Sequence, residues 1–358
     1  MLNRKTISTV GVTWSTRPIN INHGKGVDGT GIDIIVTHYK APWEVGEALF
    51  DSIANQRGID FKDVGVILVN DGEGNDFDLR YIAKKYPFSI EQVTIPHSGV
   101  STARNTGLDK VKREFCMICD FDDSFYSVYG LYRIMQMCKD GVNLVVGRFL
   151  EEVIDENGLH LIEHKDDRVF IHGKAYRTEW LRENNLRFDP EICLHEDVYF
   201  EMLVRSVAER EGSFCVVPET VYLWKWYEGS VTRTTKNFTL STYDELMKSR
   251  TALIRELKKR GFKDEVKMMV AKTTFDAYYD SQKSILLQRE NKGLVETLEK
   301  AFARFFRDHA DVYAKTDPQF LAAVAQGARQ LAYGDGLMME HQTFTAWVDH
   351  LIKDIKLD

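Results

Sequence analysis

Three carboxylates fall within four positions in Asp120-Phe-Asp-Asp123, directly after the apolar run Glu114-Phe-Cys-Met-Ile-Cys119. Like charges crowded at the end of a buried strand repel one another, so stability explains them poorly. They suit a hard divalent cation, Mn2+ or Mg2+, which prefers oxygen ligands and can share them with phosphate. An acidic turn capping the next helix accounts for the same cluster when it is read alone. A second acidic station, Leu194-His-Glu-Asp197, follows Arg187-Phe-Asp-Pro190 and opens a helical pattern from Val198 to Glu209. Asp197 ionises readily at a helix N-terminus, although acids are favoured there in any case.

Two further segments bear on anion binding. His97-Ser-Gly-Val-Ser-Thr-Ala-Arg-Asn-Thr-Gly107 places small residues at a helix start and Arg104 one turn in, which allows an anion to approach the backbone closely. Asn70-Asp71-Gly72 ends an apolar run; its carboxylate can accept from a base or ribose, or simply form a turn.

These segments need a frame. Apolar runs at 33–37, 64–70, 90–95, 114–119 and 143–153 alternate with helical patterns at 43–56, 79–86, 100–111 and 126–139. Continuous apolar strands alternating with helices predict an α/β fold, a mostly parallel sheet covered on both faces, with ligands at the carboxyl ends of the strands. Asp155-Glu-Asn-Gly158 predicts a hairpin turn, followed by helices near 176–185 and 197–209 and a strand at 220–226. From Leu240 nearly everything has helical periodicity, broken at Gly261, Gly293, Pro318 and Gly334, which predicts a helical C-terminal subdomain.

The 358 residues are 44% hydrophobic and 28% charged, which excludes disordered, collagenous and disulfide-stapled classes. The net charge of -7 argues against a chain built chiefly to grip nucleic acid. Residues 240–358 hold 19 Lys and Arg against 18 Asp and Glu, so the acidity lies in the N-terminal part. Five cysteines are too few and odd in number for a disulfide framework. With neither an apolar leader nor a membrane-length run, a cytoplasmic location is the expectation.

Taken in order, Asp33-Ile-Ile-Val-Thr-His-Tyr39, Val69-Asn-Asp-Gly72, the Gly99 to Gly107 segment, Asp120-x-Asp-Asp123 and Glu196-Asp197 resemble the family 2 glycosyltransferases of GT-A fold. The resemblance covers residues 32 to about 233 and divides the chain into an N-terminal extension (1–31), a GT-A nucleotide-sugar-binding domain (32–239) and the helical subdomain (240–358). It implies transfer of a sugar from a nucleotide donor, often a UDP-sugar, to a hydroxyl with inversion. Under it, Thr37, His38 and Tyr39 line the nucleotide pocket, Asp71 meets the base and Arg104 reaches the nucleotide. Asp120 faces the ribose or metal, and Asp122 coordinates the cation on the diphosphate with Asp123 as helper. Asp197, with Glu196 second, serves as the base that deprotonates the acceptor.

Tyr222-Leu-Trp-Lys-Trp226 and Gly229-Ser-Val-Thr-Arg233 resemble the family's closing strand and loop. There Lys225 or Arg233 would clamp the diphosphate and Trp224 and Trp226 would stack on a sugar, or the segment is a core strand with snorkelling cations. His172-Gly-Lys174 is placed on the acceptor side by position alone. Phe121 fills a place that is commonly small in the family, and Asn70 one that is commonly acidic.

Cys116-Met-Ile-Cys119 has the spacing of a zinc or redox pair but lies in a buried strand without a second pair, so both are read as core. Asp71-Gly-Glu-Gly-Asn-Asp76 has Asp76 where an EF-hand loop requires glycine and is not read as a calcium site. A nucleotidyltransferase would need a glycine-rich loop after the first strand, and Thr37-His-Tyr-Lys-Ala-Pro42 has no glycine. A non-catalytic nucleotide-binding or scaffolding module is the remaining alternative. The acceptor is left open between a glycan and a modified DNA base, and the C-terminal helices are a candidate oligomer contact.

Overall fold

The computed structural model describes residues 31–72, 76–155, 157–234, 238–287, 292–334, 346–348 and 350. The expected N-terminal extension, apart from Gly31, and the centre of the 71–76 loop lie outside the described residues. Four strand and helix units come first: β1 (Ile32–His38), α1 (Trp43–Ala54), β2 (Val64–Asp71), α2 (Leu79–Lys85), β3 (Ser89–Ile95), α3 (Val100–Lys110), β4 (Phe115–Asp120), β5 (Ser124–Phe125) and α4 (Gly130–Met137). β6 (Leu144–Asp155) and β7 (Gly158–His164) form the expected hairpin, with Asp155 opposite Gly158. β8 (Lys174–Arg177), α5 (Thr178–Glu183), α6 (Glu196–Glu211) and β9 (Phe214–Trp224) follow. Short α7 (Val231–Thr234) and α8 (Phe238–Ser241) lead to α9 (Tyr243–Lys259), α10 (Lys263–Leu287), α11 (Lys292–Ala314) and α12 (Pro318–Gly334).

One sheet runs β3-β2-β1-β4-β8-β6-β9-β5, with β7 on β6. β3, β2, β1 and β4 are parallel, as are β6 and β9, whereas β5, β7 and β8 run antiparallel to their neighbours. The sheet is therefore mixed beyond β4. The pairing of β6 with β9 skips Pro218 and Glu219, where proline has no N–H to give the ladder.

The apolar runs of β1, β2 and β4 are buried on both faces, whereas the edge strand β3 is partly exposed. In β1, Ile32, Ile34 and Val36 join the core formed with α1 and α4, while Ile35 faces the opposite core. In β4, Phe115, Met117 and Cys119 take the first side and Cys116 and Ile118 the second. That second core includes α3, α5 and α6 and runs without interruption into Tyr243, Leu253, Phe302 and Phe305 of the C-terminal helices. Gly107 is what lets α3 lie on β1: a Cβ there would stand 2.3 Å from Ile35 Cγ2.

Two helix expectations shift. The 126–139 helix begins at Gly130, because the backbone before it is engaged elsewhere: Tyr126 N donates to Val221 O (3.0 Å) and Val128 O accepts from Arg57 N (2.7 Å). The 176–185 helix begins at Thr178, because Tyr176 and Arg177 pair with β4 in β8.

Candidate active site

Parallel β1, β2 and β4 end side by side, with Thr37 opposite Val69 on one side and Asp120 on the other. A cavity of about 940 Å³ opens at these carboxyl ends, reaches α6 and continues to α9 and α10. Thr37, His38 and Tyr39 line it. The Tyr39 ring is half exposed and stacks on His97 with centroids 4.1 Å apart and planes 15° apart, so an aromatic shelf is already built. His38 differs: its ring is buried against Phe77 (4.6 Å) and Phe121 (5.2 Å), and burial lowers its pKa to about 4. It is neutral at pH 7, and neither ring nitrogen has a hydrogen-bond partner among the described residues.

Asp71 also lines the cavity, but its carboxylate is spoken for. Oδ1 accepts from Ser98 N (2.7 Å), while Oδ2 accepts from Gly99 N (3.0 Å) and meets His97 Nδ1 (3.0 Å). The loop entering α3 is thereby pinned to the end of β2, with Gly99 at φ +88°, a conformation open to glycine.

Arg104, buried on α3, turns away from solvent to brace two carboxylates. Nη2 donates to Asp120 Oδ1 (2.9 Å), Nη1 donates to Glu196 Oε1 (2.6 Å), and the guanidinium lies 5.3 Å from the Phe188 ring centroid. Burial opposes its charge, but Asp120, Glu196 and Asp197 outweigh that and raise its pKa. For Asp120, burial is likewise overcome, by Arg104 and then His172, which hold its carboxyl below the usual range.

Asp123 is fully buried and pushed well upward by burial and by Asp120 and Asp122. Tyr222 Oη donates to its Oδ2 and Lys225 N to its Oδ1, each at 2.9 Å. Asp122 forms no ion pair among the described residues, and burial with Asp120 nearby raises its pKa to about 6. Asp120, Asp123 and His172 each offer a ligand atom within 4.8 Å of the others. His172 Nδ1 is buried with no hydrogen-bond partner among the described residues, and burial lowers the ring's pKa to about 4, so it is a neutral nitrogen open to a cation. Two carboxylates and a neutral imidazole fit a divalent metal, with the Asp122 carboxyl beside them.

Glu196 and Asp197 open α6 behind His195, which takes a left-handed conformation (φ 60°). That turn is held from α9 and its entry: Ser249 Oγ donates to His195 O (2.7 Å) and Thr242 Oγ1 lies 2.8 Å from His195 Nε2. Both acids line the cavity, but they differ in occupation. Glu196 is paired with Arg104, whereas Asp197 Oδ1 accepts only from Val198 N (2.8 Å) among the described residues. Burial and the neighbouring Glu196 push Asp197 well above the ordinary carboxylate range.

The closing strand divides its residues. Trp224 and Arg233 line the cavity, whereas Lys225 and Trp226 do not; Lys225 contributes its backbone N–H to Asp123, and Trp226 N donates to Glu152 (2.8 Å). Arg233 lies 4.2 Å over the Trp224 ring with Nη1 on Glu151 (2.8 Å), while its buried Nε and Nη2 have no partner among the described residues. Of the acceptor-side segment, His172 lines the cavity but Lys174 is buried in ion pairs with Asp167 (3.1 Å) and Glu201 (3.2 Å). The core reading of Cys116 and Cys119 agrees with their full burial, which raises the Cys116 thiol to about 12.

Residues 33–210 match the family model described as Glycosyl transferase family 2. The chain carries a family 2 glycosyltransferase domain. It is 25% identical over 159 residues to an uncharacterized glycosyltransferase of Rickettsia conorii, covering 44% of this chain and 24% of that one. It is also 25% identical over 208 residues to the minor teichoic acid biosynthesis protein GgaB of Bacillus subtilis, covering 54% of this chain and 22% of that one. The chain thus spans about a quarter or less of the length of these curated relatives. Among solved structures, S. aureus TarS 1-349 superposes with a TM-score of 0.56 at 16% identity, covering 87% of this chain and 93% of that chain. Its complex with UDP-GlcNAc gives 0.55 at 17% identity over the same shares. These superpositions establish the GT-A-like fold of the family 2 domain. Among the described residues no helix is long and apolar enough to cross a membrane.

His172 is a candidate ligand that sequence spacing missed, since a lone histidine before a glycine carries no metal signature. The stacking of His97 beneath Tyr39 was equally invisible.

Proposed function

We propose that the family 2 domain transfers a sugar from a nucleotide-sugar, of the UDP class, to an acceptor hydroxyl with inversion. The observation that carries this reading is the brace formed by Arg104, which holds the acidic end of β4 and the acidic start of α6 on one cavity. The UDP-GlcNAc complex of TarS, with the same fold, supports the choice of donor class.

On this reading Tyr39, backed by His97, stacks on the base, and the open Nε and Nη2 of Arg233 receive diphosphate oxygens. Asp120, Asp123 and His172, with Asp122 adjacent, would hold Mn2+ or Mg2+, which supplies positive charge where the leaving diphosphate becomes more negative. Asp197 takes the proton from the acceptor hydroxyl. The acceptor oxygen then forms its bond to the anomeric carbon as the carbon–oxygen bond to the diphosphate breaks, and the electron pair leaves with the nucleotide. Burial makes Asp197 a stronger base than an exposed carboxylate once it is ionised. Asp71 and Glu196 act at one remove, fixing α3 and Arg104.

Incubating the protein with UDP-, GDP- and CMP-sugars and Mn2+ or Mg2+, with and without EDTA, tests the reading through release of free nucleotide. Metal-dependent release from a UDP-sugar is expected. Absence of both release and UDP binding would overturn it in favour of a scaffolding module.

A further inference from the structure

Beyond Asp197 the cavity continues between the His195 turn and the C-terminal helices, where the wall is polar and incompletely paired. Arg250 of α9 is 8% exposed. Its Nη2 lies 3.5 Å from Asp276, but Nε and Nη1 have no hydrogen-bond partner among the described residues. Asp276 is matched more closely by Lys272, at 2.8 and 2.7 Å, and Asp280 lines the same part of the cavity. Thr273, 1% exposed on the facing α10, also has a hydroxyl without a partner among the described residues. Both residues line the cavity.

Leaving a buried donor unmet is costly, and a guanidinium more so, which is why such groups are paired almost everywhere in native proteins. An exception facing a cavity is a place where a ligand, displacing water, can supply the acceptor atoms. Arg250 leaves one N–H at Nε and two at Nη1 without acceptors among the described residues; these lie on opposite sides of the guanidinium, so an oxyanion of a phosphate or carboxylate would be met at Nη1 or at Nε as a charge-assisted hydrogen bond rather than across a two-nitrogen edge. Its field also reaches His195, whose pKa falls to about 4 through burial and then Arg250, so the arginine's charge is felt two residues from Asp197.

We propose that Arg250 and Thr273 form an acceptor subsite that binds an oxyanion, a phosphate or carboxylate carried by the hydroxyl-bearing acceptor. The helical segment would then select the acceptor while the ends of β1, β2 and β4 hold the donor. The proposal rests on reading Asp197 as the base of glycosyl transfer.

Inorganic phosphate and acetate are the probes, titrated calorimetrically into the full chain in EDTA, with UDP binding in Mn2+ measured separately. Saturable phosphate or acetate binding is expected, weakened about tenfold or more in Arg250→Gln, the loss typical of a hydrogen bond to a charged group. Arg233→Gln should leave that affinity unchanged, and Arg250→Gln should leave UDP binding unchanged. The tighter of the two probes tells phosphate from carboxylate. Binding of neither probe, equal affinity in Arg250→Gln, or loss with Arg233→Gln alone would overturn the subsite. Loss of UDP binding by the wild type would instead count against the donor reading. Should Arg250→Gln fail to fold by circular dichroism, Thr273→Val carries the test: weaker probe binding supports the subsite and unchanged binding sinks it.

Discussion

Arg104 Nη1 lies 2.6 Å from Glu196 Oε1, joining α3 to the start of α6 across 92 positions of sequence, while its other amino group holds Asp120. Removing one member of a buried charge network leaves the others uncompensated. Arg104→Gln should therefore cost about 3 kcal/mol or more of stability, because Asp120 and Glu196 lose their counter-charge together. Nucleotide release should fall more than stability alone explains, since both acidic stations lose their position. Urea unfolding beside initial rates would decide this, and a variant with wild-type values for both would dismiss the brace.

Asp197 yields a prediction with a defined sign. Its pKa is raised in the fold, so the native state favours the protonated form, and stability is lost as pH rises from the ordinary carboxylate range through the raised value. Asparagine imitates the protonated form at every pH. Asp197→Asn should melt higher than wild type near pH 7, and the difference should vanish below about pH 4, where Asp is neutral in both states. Transfer should drop about 10²- to 10⁴-fold in the same variant. Melting curves across pH, paired with rates, separate this from ordinary damage, which lowers both.

Most of the parallel half of the sheet was legible because β1, β2 and β4 are buried on both faces and so read as apolar runs, whereas the partly exposed β3 mixes polar and apolar residues. The mixed half was not, since direction in β8 depends on Tyr176 pairing with Cys116 rather than on local pattern. Acidic clusters announce themselves by residue type, so both stations could be found from sequence. What they touch could not: Arg104 reads as a contact to the nucleotide, and only the packing of α3 against Phe188 and Ile192, ahead of α6, brings it to Glu196. Asp71 similarly reads as a base contact, whereas its oxygens are taken by the backbone of Ser98 and Gly99.

Tyr39 offers the test of the base-binding shelf. Stacking of a base on an aromatic ring is worth about 1–3 kcal/mol, so Tyr39→Ala should raise the donor KM roughly tenfold while changing kcat little. Tyr81, 73% exposed and outside the cavity lining, is the control, and Tyr81→Ala should leave the donor KM unchanged. An unchanged KM in Tyr39→Ala would place the base elsewhere.

The candidate metal cluster sets Asp122, which the Asp120-x-Asp-Asp123 spacing singles out, beside His172, which it does not. Asp122 has a pKa near 6 without metal because burial and Asp120 resist its ionisation, so a cation competes with a proton there and its affinity should weaken as pH falls below about 6. His172 is neutral throughout that range, its ring packed against Tyr222 and Trp224 and its Nδ1 3.6 Å from Asp123 Oδ2, and phenylalanine keeps the ring packing while deleting the nitrogen. His172→Phe should therefore bind Mn2+ at least about tenfold more weakly at every pH tested. Asp122→Asn should also weaken binding and should lose the part of the pH dependence that falls near pH 6, leaving the part due to Asp123. Titrating Mn2+ by electron paramagnetic resonance between pH 5 and about pH 8, across the range set by the shifted carboxylate, reads both effects. Wild-type affinity in His172→Phe would remove the imidazole from the site and leave the carboxylates of Asp120, Asp122 and Asp123 as its ligands.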